Sequence, residues 1–301
     1  MKKHFITFLL LTVLAAGALA QRMSAPSPSS TIQQAVGVTD FTVSYSRPSL
    51  KGRAAFGPGS ALAPLGTMWR TGANAATTLE ASTDFTFGGK NVPAGKYALF
   101  TIPNSGSWTV ILNKDFKGGV YTYAQSNDVA RVEITPVSGG TTETFTISFD
   151  NLTESSANLT LWWAGISVPV KLGVATDELT AAGIREAVAK NPEDQATLQR
   201  SAGYYLSKGT DLDQALALAD KSVGIKETFA NVWLKAQILQ KMGKLAEAVP
   251  LAQKALDLGA ASGDNAFNSN LKGQIENSLA DWKSKLPAEV PSKLKGKKKK
   301  K

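Results

Sequence analysis

Between about residues 30 and 175, apolar and polar positions alternate in short runs; beyond about 176, apolar positions recur with a helical period. Alternation is the mark of strands with one buried face, because successive side chains leave a strand on opposite sides. In FTVSYS (41–46), Phe41, Val43 and Tyr45 share one face, and Phe85 and Phe87 do so in TDFTF (83–87). KYALFTI (96–102) and SWTVILN (107–113) flank PNSG, which predicts a hairpin. ARVEITPV, TFTISF and the closing pair ANLTLWWAGISVPVKLG follow, each bounded by Gly, Pro, Asn or Ser. Eight or nine short strands at turn-sized intervals predict an antiparallel β-sandwich, jelly-roll-like, over residues 26–175. Trp108 is expected to pack against the neighbouring hairpin strand. Trp162 and Trp163 are adjacent, so one is expected in the core and the other beneath the helical domain, with exposure or sugar stacking as alternatives.

The second half predicts an all-α domain over 176–286, with helices at 177–190, 193–208, 211–226, 229–243, 245–259 and 265–285. Gly209, Gly243 and Gly259 are expected at helix C-termini, and Pro192 in the first turn of the second helix. Ala202, Tyr205 and Gly209 recur 34 positions later as Ala236, Leu239 and Gly243. Ala215, Ala219 and Ser222 recur 33 positions later as Ala248, Ala252 and Ala255. Small residues there let antiparallel helices approach closely, and the period resembles tetratricopeptide repeats. The whole chain therefore reads as α+β and multidomain. The helical array is expected either to contact a protein partner or to brace the β domain.

The two ends change the picture of composition. MKKHFITFLLLTVLAAGALA has a charged start, an apolar run and Ala18-Leu19-Ala20, which predicts a cleaved export signal over residues 1–20. No later run reaches the roughly 20 apolar residues of a membrane helix. Of 33 Lys and Arg, two lie in the signal and seven in the ending KLKGKKKKK, leaving 24 basic against 24 acidic residues. A balanced body does not suggest nucleic-acid binding. Residues 287–301 read as a disordered lysine tail able to touch anionic surfaces. There is no Cys, and the one His, His4, is in the signal. Triads built on His, thiol chemistry and His-ligated metals are thereby closed to the exported chain.

Candidate chemistry concentrates in the long stretch 46–76, which has no strand pattern. Arg47, Arg53, Arg70 and Asn74 supply donors there, Lys51 adds a charge, and Trp69 offers a flat wall. Guanidinium forks suit carboxylates and phosphates, so these residues form a candidate pocket for a polar or anionic small molecule or glycan. The competing reading is that Arg70 and Asn74 satisfy loop carbonyls while Trp69 plugs the sandwich. For hydrolysis of carbohydrate, Glu80, Asp84, Asp115, Asp128, Glu133, Glu143, Asp150 and Glu154 form the pool, and no spacing singles out a pair. No calcium loop or Gly-rich phosphate loop is present, and nothing calls for a cofactor or metal.

RPSLKGR (47–53), MWRTGAN (68–74), VPAGKYALFTIP (92–103) and WTVILNKD (108–115) together resemble the bacterial "domain of unknown function 2911" family, over roughly residues 25–175. The resemblance implies an exported β-rich domain and supplies no catalytic set. The expectation is a non-enzymatic binding or assembly protein of a bacterial envelope, periplasmic or extracellular. A carboxylate-dependent enzyme and a structural scaffold are the alternatives.

Overall fold

The computed structural model describes residues 24–265 and 267–286; the signal (1–20) and the lysine tail (287–301) lie outside the described residues. The chain divides into two compact units, one ending at Thr176 and the other starting at Asp177. The first unit contains two antiparallel sheets and the second six α-helices, so the fold is α+β.

Among the described residues twelve strands form the first unit, since Ser29–Val36, Thr77–Ala81 and Lys90–Val92 add to the expected runs and ARVEITPV is broken after Ile134. They are β1 (Ser29–Val36), β2 (Thr39–Ser46), β3 (Thr77–Ala81), β4 (Phe85–Phe87), β5 (Lys90–Val92) and β6 (Gly95–Ile102). These are followed by β7 (Trp108–Asn113), β8 (Asp128–Ile134), β9 (Val137–Ser138), β10 (Thr146–Asp150), β11 (Ser156–Trp163) and β12 (Ile166–Val174). One sheet runs β1-β2-β3-β6-β7-β8; the other runs β10-β11-β12-β4-β5, with β9 also on β12. A single apolar core draws on both sheets, with Phe41, Val43, Leu79, Leu99 and Leu112 from one and Phe87, Leu159, Leu161 and Val170 from the other. Each such side chain, fully buried, contributes about 1.5–3 kcal/mol.

Two departures from strict alternation have physical causes. All six residues of β7 are buried. Its outer face is covered too: Ala98, Phe100 and Ile111 form a second small cluster under Val120 and Tyr123, from the loop after β7. A strand covered on both faces reads as a continuous apolar run. Trp163, in step with Leu159 and Leu161, points into the core at 1% exposure. Trp162 is half-buried, its Nε1 donating to Ser148 Oγ at 2.9 Å, and Gly139 lies on its ring.

The helices are α1 (Thr176–Lys190), α2 (Gln195–Lys208), α3 (Leu212–Ile225), α4 (Phe229–Lys241), α5 (Leu245–Ser262) and α6 (Lys272–Lys285). Helix α2 starts later than expected. Asp194 is its N-cap, accepting from Thr197 N–H at 2.9 Å, and Pro192 sits in the preceding turn. Gly209 ends α2 in the left-handed conformation, and α4 opens on a capping box of Thr228 and Asn231. Lys208 and Tyr204 of α2 both bind the Asp177 carboxylate, at 3.0 and 2.9 Å, and Lys208 foremost holds that carboxyl below its usual range. Ala202, Tyr205, Ala215, Ala219 and Ser222 are buried, as are Ala236, Leu239, Ala248, Ala252 and Ala255. Buried Asn231 is satisfied by Ser222 Oγ and Lys226 O, and Trp233 stacks on Trp282 with centroids 5.3 Å apart.

Gly259 corrects the sequence expectation. It does not end a helix: α5 runs through it to Ser262 and stops at Gly263, φ 66°. Glycine is needed at 259 for space, since a Cβ there would lie 2.1 Å from Cε2 of buried Phe267. Gly259→Ala should therefore destabilise the helical unit by about 1–3 kcal/mol through overpacking, despite alanine's better helix propensity. Urea unfolding followed by circular dichroism measures this, and a stabilised variant would refute the socket.

Candidate functional site

The connection from β2 to β3, residues 47–76, lies over one end of the core. Its aromatic residues fill the gap between the sheets. Trp69, at 5% exposure, stacks on Trp163 with centroids 5.7 Å apart and planes 16° from parallel. Phe145 meets Trp69 edge-on at 5.0 Å, and Phe56 meets Trp108 at 4.9 Å. Both stacked indoles have partners for their N–H groups: Trp69 donates to Gly72 O at 3.0 Å and Trp163 to Glu143 O at 3.2 Å. Trp69 is also held by two backbone bonds to Thr101, 2.7 and 3.0 Å long. Such rings combine large buried area with satisfied polar atoms.

After Trp69 the backbone turns sharply. Thr71 and Asn74 have φ 54° and 62°, a region costly for side-chain-bearing residues and most so for a β-branched one. The corner is held from several sides. Thr71 Oγ1 bonds Thr101 Oγ1 at 3.2 Å, Thr77 Oγ1 donates to Thr71 O, and Thr77 N donates to Arg70 O at 3.1 Å. Asn74 Nδ2 donates to Ser27 O and Ser46 Oγ, at 3.3 and 3.2 Å. Gly72 permits the close approach, because a Cβ there would lie 2.8 Å from Ser46 O.

Four of the five residues singled out in the sequence converge. Arg53, Trp69, Arg70 and Asn74 line one pocket of about 340 Å³. Lys51, Ser27, Leu62 and Trp163 also line it, and no Asp or Glu does. Arg47 is not among its walls: its Nε donates to Phe145 O at 3.1 Å and its Nη2 to Thr146 Oγ1 at 2.7 Å, tying the loop's start to β10. Arg53 likewise holds loop carbonyls, through Nε to Leu50 O at 2.9 Å and Nη2 to Ser49 O at 2.8 Å. Arg70 Nη1 donates to Asn74 O. Its other N–H groups, and Lys51 Nζ, make no hydrogen bond or ion pair among the described residues.

Two contributors escaped the sequence reading. Trp163 was legible as a doublet member, and its parity with Leu159 and Leu161 carried the missing signal. Ser27 lies outside the loop, and no local pattern marked it. Trp69 is a core plug that meets the pocket at its rim; it is not an open stacking wall. The acidic side chains serve elsewhere. Glu143 accepts the Lys51 backbone N–H at 2.7 Å, and Glu133 takes Ser107 and Thr109 hydroxyls. Asp128 binds Asn113, Tyr123 and Arg131; burial and the bond to Asp128 push the Tyr123 hydroxyl up from its usual range. No group of three metal-ligating side chains exists among the described residues.

This arrangement separates brace from wall by mutation. Trp69→Ala should cost about 3–5 kcal/mol, because it empties the aromatic plug. Arg47→Ala should cost about 1–3 kcal/mol, because it strips partners from Phe145 O and Thr146 Oγ1. Denaturant unfolding of the purified protein gives both values; a loss below 1 kcal/mol for Trp69→Ala would contradict the assigned plug.

Among the described residues no helix is long and apolar enough to cross a membrane. Neither the curated proteins nor the solved structures include a match to this chain. Residues 27–172, which contain the 47–76 loop and Trp163, match the model of the family described as "Protein of unknown function (DUF2911)", and the β unit is accordingly similar to that family.

Proposed function

We propose that this chain is an exported, non-enzymatic binding or assembly protein of a bacterial envelope, whose β unit holds a polar or anionic small molecule or glycan. The observation that carries the reading is the pocket lined by Lys51, Arg53 and Arg70 without any carboxylate. Three positive charges with open donors and no internal counter-ion favour an anion. Export rests on the signal pattern of residues 1–20.

In this reading the β unit is a jelly-roll-like sandwich, supported by the shared core of its two sheets. The helical unit is a short tetratricopeptide-like array that meets a protein partner or braces the β unit, its repeat character supported by the 34-residue correspondence and the burial of its small residues. Hydrolysis by paired carboxylates has no residues to act with at this pocket, since none of its walls is acidic.

Arg70 decides the matter experimentally. Its one side-chain bond among the described residues is to Asn74 O, so Arg70→Ala should change the unfolding free energy by no more than about 1 kcal/mol. The same substitution should weaken binding of an acidic-monosaccharide panel at least about tenfold, as loss of a charge-assisted contact does. A large drop in melting temperature with unchanged ligand binding would make Arg70 scaffold and remove the pocket reading.

A further inference from the structure

We propose that the ligand of the 47–76 pocket is a compact organic phosphate monoester, bound as its dianion. This inference rests on the anion-pocket reading above and narrows it to one chemical class. The charge count is the first argument. Lys51, Arg53 and Arg70 face the pocket, and the acid that touches this loop, Glu143, is bound to the Lys51 backbone N–H. Counting that acid still leaves two unmatched positive charges. A monocarboxylate would neutralise only one of them, whereas a phosphate monoester carries about −1.5 to −2 at pH 7.

Donor geometry is the second argument. Arg70 retains Nε and Nη2, Lys51 retains Nζ, and Arg53 retains Nη1, so each of the three cations that line the pocket keeps an uncommitted donor. Three terminal oxygens are what a phosphate ester presents; a carboxylate presents two. The third argument is size. A pocket of about 340 Å³ falls in the range of small-molecule sites and exceeds the needs of a bare ion. Leu62 and the rims of Trp69 and Trp163 supply an apolar side for the organic part.

The pocket also lets pH identify the ligand's charge state. Its lining has no Asp, Glu, His or Cys. A change in affinity between pH 7.5 and 5.5 therefore reports the ligand, whose second ionisation lies near pH 6.

Isothermal titration of the purified protein tests this with glucose 6-phosphate, glucuronate, glucose and sulfate as probes. Glucose 6-phosphate should bind at least about tenfold more tightly than glucuronate, and glucose should not bind. Its affinity should fall about fourfold from pH 7.5 to 5.5, following the dianion fraction, while that of sulfate stays constant. Lys51→Gln should weaken glucose 6-phosphate at least about fivefold with no change in melting temperature, since Nζ braces nothing in the fold. Glucuronate binding as tightly as the phosphate, or a pH-independent phosphate affinity, overturns the ester and leaves the anion pocket standing. Equal binding of glucose overturns the role of charge, and an unaltered Lys51→Gln overturns the location. Failure of every probe to bind overturns both this inference and the reading beneath it.

Discussion

The stacking of Trp69 on Trp163 is the contact on which the rest of the β unit's working end depends. A two-sheet core leaves an opening at each end, and a chain without cysteine cannot staple that opening with disulfides. Here the opening is filled by two parallel indoles, with Phe56, Phe145 and Trp108 set edge-on around them. Placing Trp69 requires the loop to descend to the sheet, pair with Thr101 and turn back within a few residues. The left-handed Thr71 and Asn74 are the backbone cost of that turn.

Because the turn is strained, its neighbours must over-determine it, and this explains how brace and wall coincide. Arg53 and Arg70 each satisfy backbone carbonyls of the loop and still leave donors toward open space, while Asn74 spends both of its amide N–H groups on Ser27 O and Ser46 Oγ. A guanidinium has five N–H groups, more than one or two loop carbonyls consume. The two sequence readings of MWRTGAN, internal support and pocket edge, are therefore compatible in one geometry. Arg47 alone of the loop's three arginines is not a wall of the pocket, and its two bonds tie the loop to Phe145 and Thr146 at the start of β10.

Legibility followed the range of the interactions. The strands came through where large apolar residues mark the buried face, as at Phe41, Val43 and Tyr45, and Thr77–Ala81 was missed because its buried face is Thr77, Leu79 and Ala81. β7 was read as a strand from its hairpin setting although it does not alternate, because Val120 and Tyr123 cover its second face from the following loop. Helix boundaries were legible at Gly209, where backbone conformation requires glycine. They failed at Gly259, where glycine answers to a neighbouring ring. The loop's chemistry was visible because Arg, Trp and Asn cluster in sequence. Trp163 and Ser27 complete the pocket through space, which adjacency does not encode.

The tie from Arg47 to β10 has a consequence for when the pocket comes into being. Arg47 and its acceptor Phe145 stand 98 positions apart, and Lys51 reaches Glu143 across 92. Contacts that distant form late, since the entropy of closing so long a chain segment must be overcome before they return anything. During synthesis, the 47–76 segment is made before the strands that seat it. Its cations then hang on an unfinished edge, and the cavity closes only when β10 to β12 arrive. Ligand binding at this pocket would thus serve as a report that the last strands of the unit are in place.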